Sequence, residues 1–434
     1  MREMKYSGVE WIGDIPEEWE VKPIRNILIE RNEKNRELSI TTILSLSARE
    51  GVSLYNSETH TGNKPREDLS DYKIVRKGDI VVNSMNILSG SVGISEYEGV
   101  VSPVYYIYYP RTNNNIRYFH LLFQCFEFQR SLRGLGNGIL IRETESGSLN
   151  TIRIRIPSKK LGLQEFPYPS EKEQQAIADI LDRKCTQIDA LIANEEQQIA
   201  KLKAYKQSVI TETVTKGLNP DVPMKYSGVE WIGEIPYTWS LKATKRLFVI
   251  ESGATPKSDN PDNFDGDIVW ITPADYTTEQ VYITDSRRKL TELGLKTCST
   301  SLIPPNSIIF SKRAPIGLVA INHVELCTNQ GCLSCISKTN DLIKYYYYVM
   351  SIFTDQYNLL GSGTTFKEIS LTSFSNFILP CPPVEEQQHI AEYLDQKCEQ
   401  IDRLIAIKQQ KIEKLQQYKK SLIYEYVTGK KEVI

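Results

Sequence analysis

The feature that most constrains this sequence is that it is written twice. The segment MKYSGVEWIGDIPEEW at 4–19 returns as MKYSGVEWIGEIPYTW at 224–239, with 13 of 16 positions identical. A second segment, EQQAIADILDRKCTQIDALI from Glu173, returns as EQQHIAEYLDQKCEQIDRLI from Glu386. The two offsets are 220 and 213 residues, a period too long for a solenoid. The chain is therefore a duplicated half-molecule.

Each half has the same order of segments, and this order predicts the domains. They are an N-terminal repeat motif at 1–19, a first variable body at 20–168, a central long helix at 171–217, a second copy of the motif at 224–239, a second variable body at 240–384 and a C-terminal long helix at 385–430. Each body is large enough for its own core. Strand-like runs alternate with shorter helical runs in both bodies, which predicts a mixed α/β fold.

The two long helices carry apolar residues at heptad spacing. The seam consists of Leu181, Ile188, Ile192, Glu195, Ile199 and Leu202 in the first helix, and of Leu394, Ile401, Ile405, Lys408, Ile412 and Leu415 in the second. This spacing predicts a coiled coil. We expect the two helices of one chain to pair antiparallel, and the alternative is a coil between two chains of a homodimer. Antiparallel pairing would let Glu195 and Lys408 neutralise each other, unless both side chains reach into solvent.

Composition limits the partners of the chain. Lys and Arg total 52 against 54 Asp and Glu, so a nucleic-acid binder of this composition must concentrate its basic residues locally. No apolar run approaches the roughly 18–20 residues of a membrane helix, and the first residues lack a signal peptide. We therefore expect a cytoplasmic protein without membrane contact, and eight reduced cysteine thiols.

Known catalytic motifs are missing from the sequence. It contains no GxxxxGK[ST] phosphate loop and no Asn-Pro-Pro-aromatic tetrad, and its four histidines are scattered. Cys332 and Cys335 form a lone CxxC, whereas a structural zinc site needs four ligands. We therefore predict no catalytic residue and no metal site. Two alternatives remain open: a self-contained methyltransferase–nuclease, and a coiled-coil adaptor that does not bind DNA.

Both bodies contain polar loops suited to DNA. In each, an apolar strand runs into a polar turn that ends at Gly93 or Gly317, and a G-x-G-x-x-x-[R/K]-E segment follows from Gly136 or Gly361. Arg can bind guanine, Asn can bind adenine, and Lys neutralises phosphate. The candidate DNA contacts are Asn83, Ser84, Asn86, Arg133 and Arg142 in the first body, and Thr255, Lys257, Lys312, Arg313 and Lys367 in the second.

Taken together, these segments resemble the specificity subunit of type I restriction–modification systems. The resemblance rests on EWIG-[D/E]-IP-x-x-W, present twice, and on PPVEEQQHIAEYLD at the start of the second helix. In the second body SGATPKS, WITPADY, SKRAPIGLVAI, TNQG and GSGTTFKEIS follow in the order of the family. The first helix departs from the pattern with PYPSEKEQQ, and the first body lacks GxTP.

The resemblance implies a role in DNA recognition. Each body would be a target recognition domain that reads one half of a bipartite double-stranded DNA site. The two helices would set the spacer length and dock two modification (methyltransferase) subunits. Those partners would bind S-adenosylmethionine and methylate adenine, and restriction subunits of the full complex would use ATP and Mg²⁺. The chain itself would bind no cofactor and catalyse no reaction.

Overall fold

The structure, a computed structural model, describes most of the chain. The described residues are 2–48, 50–58, 64–136, 142–143, 149–150, 155–277, 281–338, 342–363 and 367–433. At 142–143 and 149–150 the description covers the backbone, which forms a pair of short antiparallel strands. Within these residues, no helix is both long enough and apolar enough to cross a bilayer.

The chain divides into two compact units of similar construction. The first unit comprises Met1–Glu196 with Gln409–Ile434, and the second comprises Gln197–Lys408. Each unit therefore contains one variable body, the beginning of one long helix and the end of the other. The boundary between the compact units therefore passes through the middle of both long helices. The boundary between the two sequence repeats instead lies after the end of the first long helix.

The first unit is built on a four-stranded antiparallel sheet. Its strands lie in the order Leu28–Glu30, Tyr105–Pro110, Ile80–Asn83, Val92–Ile94. The other strands are Met4–Tyr6, Asp14–Pro16, Glu20–Pro23, Leu44–Ser47, Gly51–Leu54, Lys73–Val75, Gly99–Val101, Arg142–Glu143, Leu149–Asn150 and Glu165–Tyr168. The helices of the body are Ile24–Ile27, Ile116–Gln124, Phe126–Ser131 and Ser158–Gly162, with a 3₁₀ turn at Ile87–Ser89.

The second unit is built on a five-stranded sheet. Its strands lie in the order Phe248–Ser252, Cys332–Ser337, Ile308–Lys312, Ile316–Asn322, Tyr282–Ile283. The other strands are Met224–Tyr226, Glu234–Pro236, Ser240–Ala243, Phe264–Ile271, Lys289–Leu290, Cys327–Thr328 and Ile378–Cys381. The helices of the body are Thr244–Leu247, Glu292–Lys296, Ile343–Ile352, Thr354–Leu360 and Leu371–Asn376, with 3₁₀ turns at Pro261–Asn263 and Pro273–Asp275.

The first long helix runs over Glu171–Lys216 and the second over Val384–Val427. Within each unit they pack antiparallel. In the first unit Lys419 Nζ lies 2.6 Å from Asp189 Oδ1, and in the second unit Lys206 Nζ lies 2.6 Å from Asp402 Oδ2. Every one of the twelve seam residues is buried or half-buried. The seam therefore faces the neighbouring helix, as a coiled coil requires.

The charged seam residues have partners on the opposite helix of their own unit. In the first unit Lys411 Nζ donates to Glu195 Oε1 at 2.6 Å. In the second unit Lys408 donates to the side-chain oxygen of Gln198. The predicted pairing of Glu195 with Lys408 itself stays a prediction.

Each repeat motif places a buried tryptophan against the start of a long helix in its own unit. Trp19 Nε1 donates to Glu173 Oε2 at 2.9 Å, and Trp239 Nε1 donates to Glu386 Oε2 at 2.8 Å. Both indoles are only 1% exposed. The first repeated segment thus supplies the tryptophan of this contact, and the second repeated segment supplies the glutamate. The contact occurs once in each unit.

The glutamine after each of these glutamates joins the long helix to the variable body. Gln174 accepts from the Asn115 N–H at 2.9 Å and donates to the Pro169 carbonyl at 2.9 Å. Gln387 accepts from the Leu342 N–H at 2.9 Å. Asn115 and Leu342 directly precede the first main helix of their bodies. Each glutamine thus links the start of a long helix to the start of the first main helix of the body.

A buried tyrosine ties each body to the end of the other long helix. Tyr118 OH donates to the Val427 carbonyl at 2.9 Å in the first unit, and Tyr345 OH donates to the Val214 carbonyl at 3.2 Å in the second. These carbonyls belong to the last turn of a helix, where no helical N–H remains to bond them. Each body therefore forms hydrogen bonds with both long helices within its own unit.

The cysteines lie mainly in the cores. All eight are free thiols, and the six buried ones are Cys125, Cys327, Cys332, Cys335, Cys381 and Cys398. Burial raises the pKa of the Cys335 thiol, which favours the neutral form of a side chain that packs as a small apolar group.

Candidate nucleic-acid interface

Four loop segments of the second body meet at one end of its five-stranded sheet. The strand register pairs Ser252 with Leu333 and Ser311 with Cys332, so these residues lie at the same end. The described segments adjoining that end are 253–258, 312–316, 328–331, and 361–363 with 367–368. They contain parts of four of the five motifs of the second body on which the family resemblance rests.

Backbone hydrogen bonds hold these segments together. The Ala254 N–H donates to the Thr328 carbonyl at 3.0 Å, and the Lys312 N–H donates to the Gly331 carbonyl at 2.9 Å. The Lys312 carbonyl in turn accepts from the Ile369 N–H at 3.0 Å. Because the backbone makes these bonds, the loop side chains can vary without loss of the framework.

The candidate side chains at this end differ in exposure. Lys257 and Lys367 are exposed to solvent. Thr255 is half-buried, and its hydroxyl donates to the side-chain oxygen of Gln330. The two lysines therefore are free to reach a phosphate backbone, whereas Thr255 helps to join two of the loops.

Lys312 and Arg313 share one carboxylate. Lys312 Nζ lies 2.9 Å from Glu368 Oε1, and Arg313 Nη1 lies 3.3 Å from Glu368 Oε2. Partial burial opposes ionisation of Glu368, but hydrogen bonds and charges from the two cations outweigh it and lower the pKa of that carboxyl. The Lys312 side chain is 13% exposed, against 33% for Arg313. Arg313 is thus the better placed of the two for a base edge.

The corresponding turn of the first body corrects the interpretation of Ser84. Its hydroxyl donates to the Val104 carbonyl at 2.5 Å, and the residue is 0% exposed. The Ser84 carbonyl accepts from the Ile156 N–H at 3.1 Å, which is the same bond that Lys312 makes in the second body. Ser84 stabilises the turn in this structure and has no surface with which to contact DNA.

The other candidate residues of the first body differ in their exposure to solvent. Asn83 is 8% exposed, and its side-chain oxygen accepts from the Met85 N–H at 3.0 Å, so it also serves the turn. Asn86 is exposed and Arg133 is half-buried. The side chain of Arg142 and the glycine at 138 lie outside the described residues. Asn86 is the most accessible candidate of this turn.

A comparison with protein families matches both halves of the chain. Residues 16–204 and 236–417 match the family model described as the type I restriction modification DNA specificity domain. The chain belongs to this specificity family. The two matched ranges confirm both the resemblance and the predicted fold class with two recognition domains.

Two archaeal specificity subunits from Methanocaldococcus jannaschii illustrate the relationship. The chain is 37% identical over 166 residues to the MjaIX specificity subunit, a match that spans 38% of each chain. It is 26% identical over 434 residues to the putative MjaX specificity subunit, a match that spans 96% of this chain and 95% of the relative. The second match therefore spans both halves of this chain.

Solved structures share the fold of this specificity subunit. A chain from a study of complex assembly and conformational transition of the type I R-M system superposes with a TM-score of 0.72 and 13% identity, covering 95% of this chain and 98% of the other. The HsdS subunit from Thermoanaerobacter tengcongensis gives a TM-score of 0.50 at 13% identity, covering 96% and 98%. At this identity the likeness concerns the fold.

Several residues that organise the specificity subunit are not evident from the sequence alone. Glu368 was not a candidate, although it holds Lys312 and Arg313. The contact of Trp239 with Glu386 was not foreseen either, although both residues lie inside the quoted repeats. The signal available was the recurrence itself, since a Trp and a Glu that recur together in both halves can form the same contact twice.

Proposed function

We propose that this specificity subunit reads a bipartite DNA site, with one half-site for each body, and catalyses no reaction itself. The observation that carries the proposal is the cluster of loops at one sheet end of the second body, with exposed lysines at its surface and an equivalent turn in the first body. Two linked binding modules multiply weak half-site affinities because the second binding step is intramolecular.

The long helices suit the role of a spacer in this proposal. A helix of 46 residues and another of 44 residues each contribute to both units, and an ion pair joins them within each unit. Stiff spacers fix a separation more sharply than flexible chains do. The helices therefore set the number of base pairs between the half-sites.

Exposed apolar residues on the helices support docking of two methyltransferase subunits. Leu191 and Leu404 are each 48% exposed, and Tyr205 and Tyr418 are 56% and 51% exposed. Each pair is related by the 213-residue repeat, and all four occupy the heptad position just before the seam. Each unit thus exposes one leucine and one tyrosine, as two copies of one partner require. In this proposal S-adenosylmethionine, ATP and Mg²⁺ bind to partner subunits.

Replacing Lys257 and Lys367 with alanine tests the DNA surface. Each lysine that neutralises a phosphate adds about one unit to the slope of log affinity against log salt. We expect the double variant to bind duplex DNA more weakly and with a slope lower by about two. The measurement is a salt titration of the complex of this chain with its methyltransferase subunits on a duplex containing the methylated motif.

The matched control is Arg246→Ala, an exposed cation at the opposite end of the same sheet. Its salt slope should equal that of the unmodified chain. Equal slopes for the control and the double variant would contradict this assignment of the surface. If the affinity for duplex DNA does not change with salt concentration, the result would instead favour an adaptor that does not contact DNA.

Replacing Leu191 and Leu404 with aspartate tests the docking surface. Each change places a charge on an exposed apolar position, so it should repel a partner without disturbing the seam. We expect each single variant to bind one methyltransferase subunit and the double variant to bind none, as counted by native mass spectrometry. Ile407→Asp is the control, because Ile407 is 61% exposed and its repeat counterpart is the polar residue Asn194. Full stoichiometry in the double variant would contradict docking at this face.

A further inference from the structure

Two ion pairs of the coil use the same residue types on both helices, so they cannot select one helix over the other as a partner. Asp189 pairs with Lys419 in the first unit, and Asp402 pairs with Lys206 in the second. Because Asp402 and Lys419 are the repeat counterparts of Asp189 and Lys206, each helix has both an acid and a base at these positions. Two copies of the same helix, packed antiparallel, would therefore form these pairs equally well.

The middle of the coil does distinguish them. The first helix has Glu195 and Gln198 there, whereas the counterparts in the second helix, 213 positions later, are Lys408 and Lys411. Lys411 Nζ lies 2.6 Å from Glu195 Oε1, and the Glu195 side chain is only 5% exposed. Lys408 donates to Gln198. At these two positions the first helix thus has no basic residue, and the second helix has two.

Pairing of like helices would remove these contacts. Two copies of the first helix would bury two glutamates with no lysine opposite, and two copies of the second would bring four lysines together. A buried charge that loses its partner destabilises a complex far more than an exposed one does. Charged and polar residues near a seam are known to select coiled-coil partners in this way.

We propose that Glu195, Gln198, Lys408 and Lys411 make the two helices selective for each other and exclude the equivalent helix of a second copy of this chain. The outer pairs fit either pairing of the helices, and the four central residues choose the partner. The selection therefore excludes assemblies in which like helices of two copies pair. This inference does not depend on DNA binding.

The test uses the complete chain with a protease site inserted between Gly217 and Met224. The folded protein is cleaved, unfolded in urea and refolded by dilution, and native mass spectrometry counts the three kinds of complex between the two pieces. We expect the mixed complex to exceed complexes of like pieces by at least about tenfold. Lys408→Glu with Lys411→Glu should lower the mixed complex by about tenfold, and Glu195→Lys with Gln198→Lys in the other piece should restore it.

The control is Lys419→Glu, which alters an outer pair whose two side chains are 30% and 56% exposed. Exposed pairs contribute little, so its effect should stay below roughly fivefold. If the pieces do not refold, the same variants are compared in the uncut chain by their urea midpoints. Lys408→Glu with Lys411→Glu should lower the midpoint, and adding Glu195→Lys with Gln198→Lys should restore it. Free formation of complexes between like pieces, or a lack of restoration by the four-residue swap, would overturn the proposal.

Discussion

Trp239→Ala is expected to lower the free energy of unfolding of the second unit by about 3–5 kcal/mol, the usual loss when a large buried aromatic side chain is removed. Trp239 is 1% exposed and donates to Glu386 at 2.8 Å. A Cβ built on Gly217 would lie 3.3 Å from its ring, so the indole also packs against the end of the first long helix. Urea unfolding followed by circular dichroism measures the change.

Trp231→Ala is the matched control in the same repeat motif. This indole is 42% exposed and stacks on Phe377 with ring centroids 5.5 Å apart, so its loss should lower stability by only about 0.5–1.5 kcal/mol. Trp19→Ala should weaken the first unit as Trp239→Ala weakens the second, since Trp19 makes the equivalent bond to Glu173. Equal losses for Trp231→Ala and Trp239→Ala would contradict the role assigned to the buried contact.

The second prediction concerns the length of the coil. Removing residues 194–200 and 407–413 deletes one heptad from each helix, including the four central residues, and leaves the pairs Asp189–Lys419 and Lys206–Asp402 in register. The helices of one chain then pair through the remaining seam and these outer pairs, because the chain itself holds them together. Seven residues correspond to about 10 Å of helix, or roughly three base pairs of DNA. We expect both half-site sequences to stay the same and the accepted spacer to shorten by about that number. Methylome sequencing with the methyltransferase subunit present measures both.

Deleting the heptad from one helix alone is the control. The two outer pairs can then no longer form together, and we expect the complex to lose activity instead of accepting a new spacer. A spacer that stays unchanged when both heptads are removed would contradict the role of the helices as a ruler.

Features that repeat in the sequence could be predicted, because they depend on local spacing. The heptad pattern names seam residues such as Leu181 and Leu394, and both are fully buried. The recurrence of whole segments indicated a duplicated chain, and the family comparison confirms it. The heptad pattern and the repeated segments can be recognised without knowing which distant residues are in contact. They can therefore be identified from the sequence alone.

The loop residues could not be predicted in the same way, because their roles depend on partners far along the chain. Ser84 looks like any polar turn residue until its bond to Val104 is known. Lys312 looks like a free cation until Glu368, which follows 56 residues later, is placed beside it. Donor chemistry and loop position identify candidates, but tertiary contacts decide which of them remain accessible.

The central claim is that this chain supplies the DNA sequence specificity of a methyltransferase complex. Its most direct test is methylome sequencing of cells that express the neighbouring methyltransferase subunit with and without this chain. We predict a gapped, two-part adenine-methylation motif that appears only when the chain is present. The same methylation pattern in both cultures, although the complex forms, would contradict the claim.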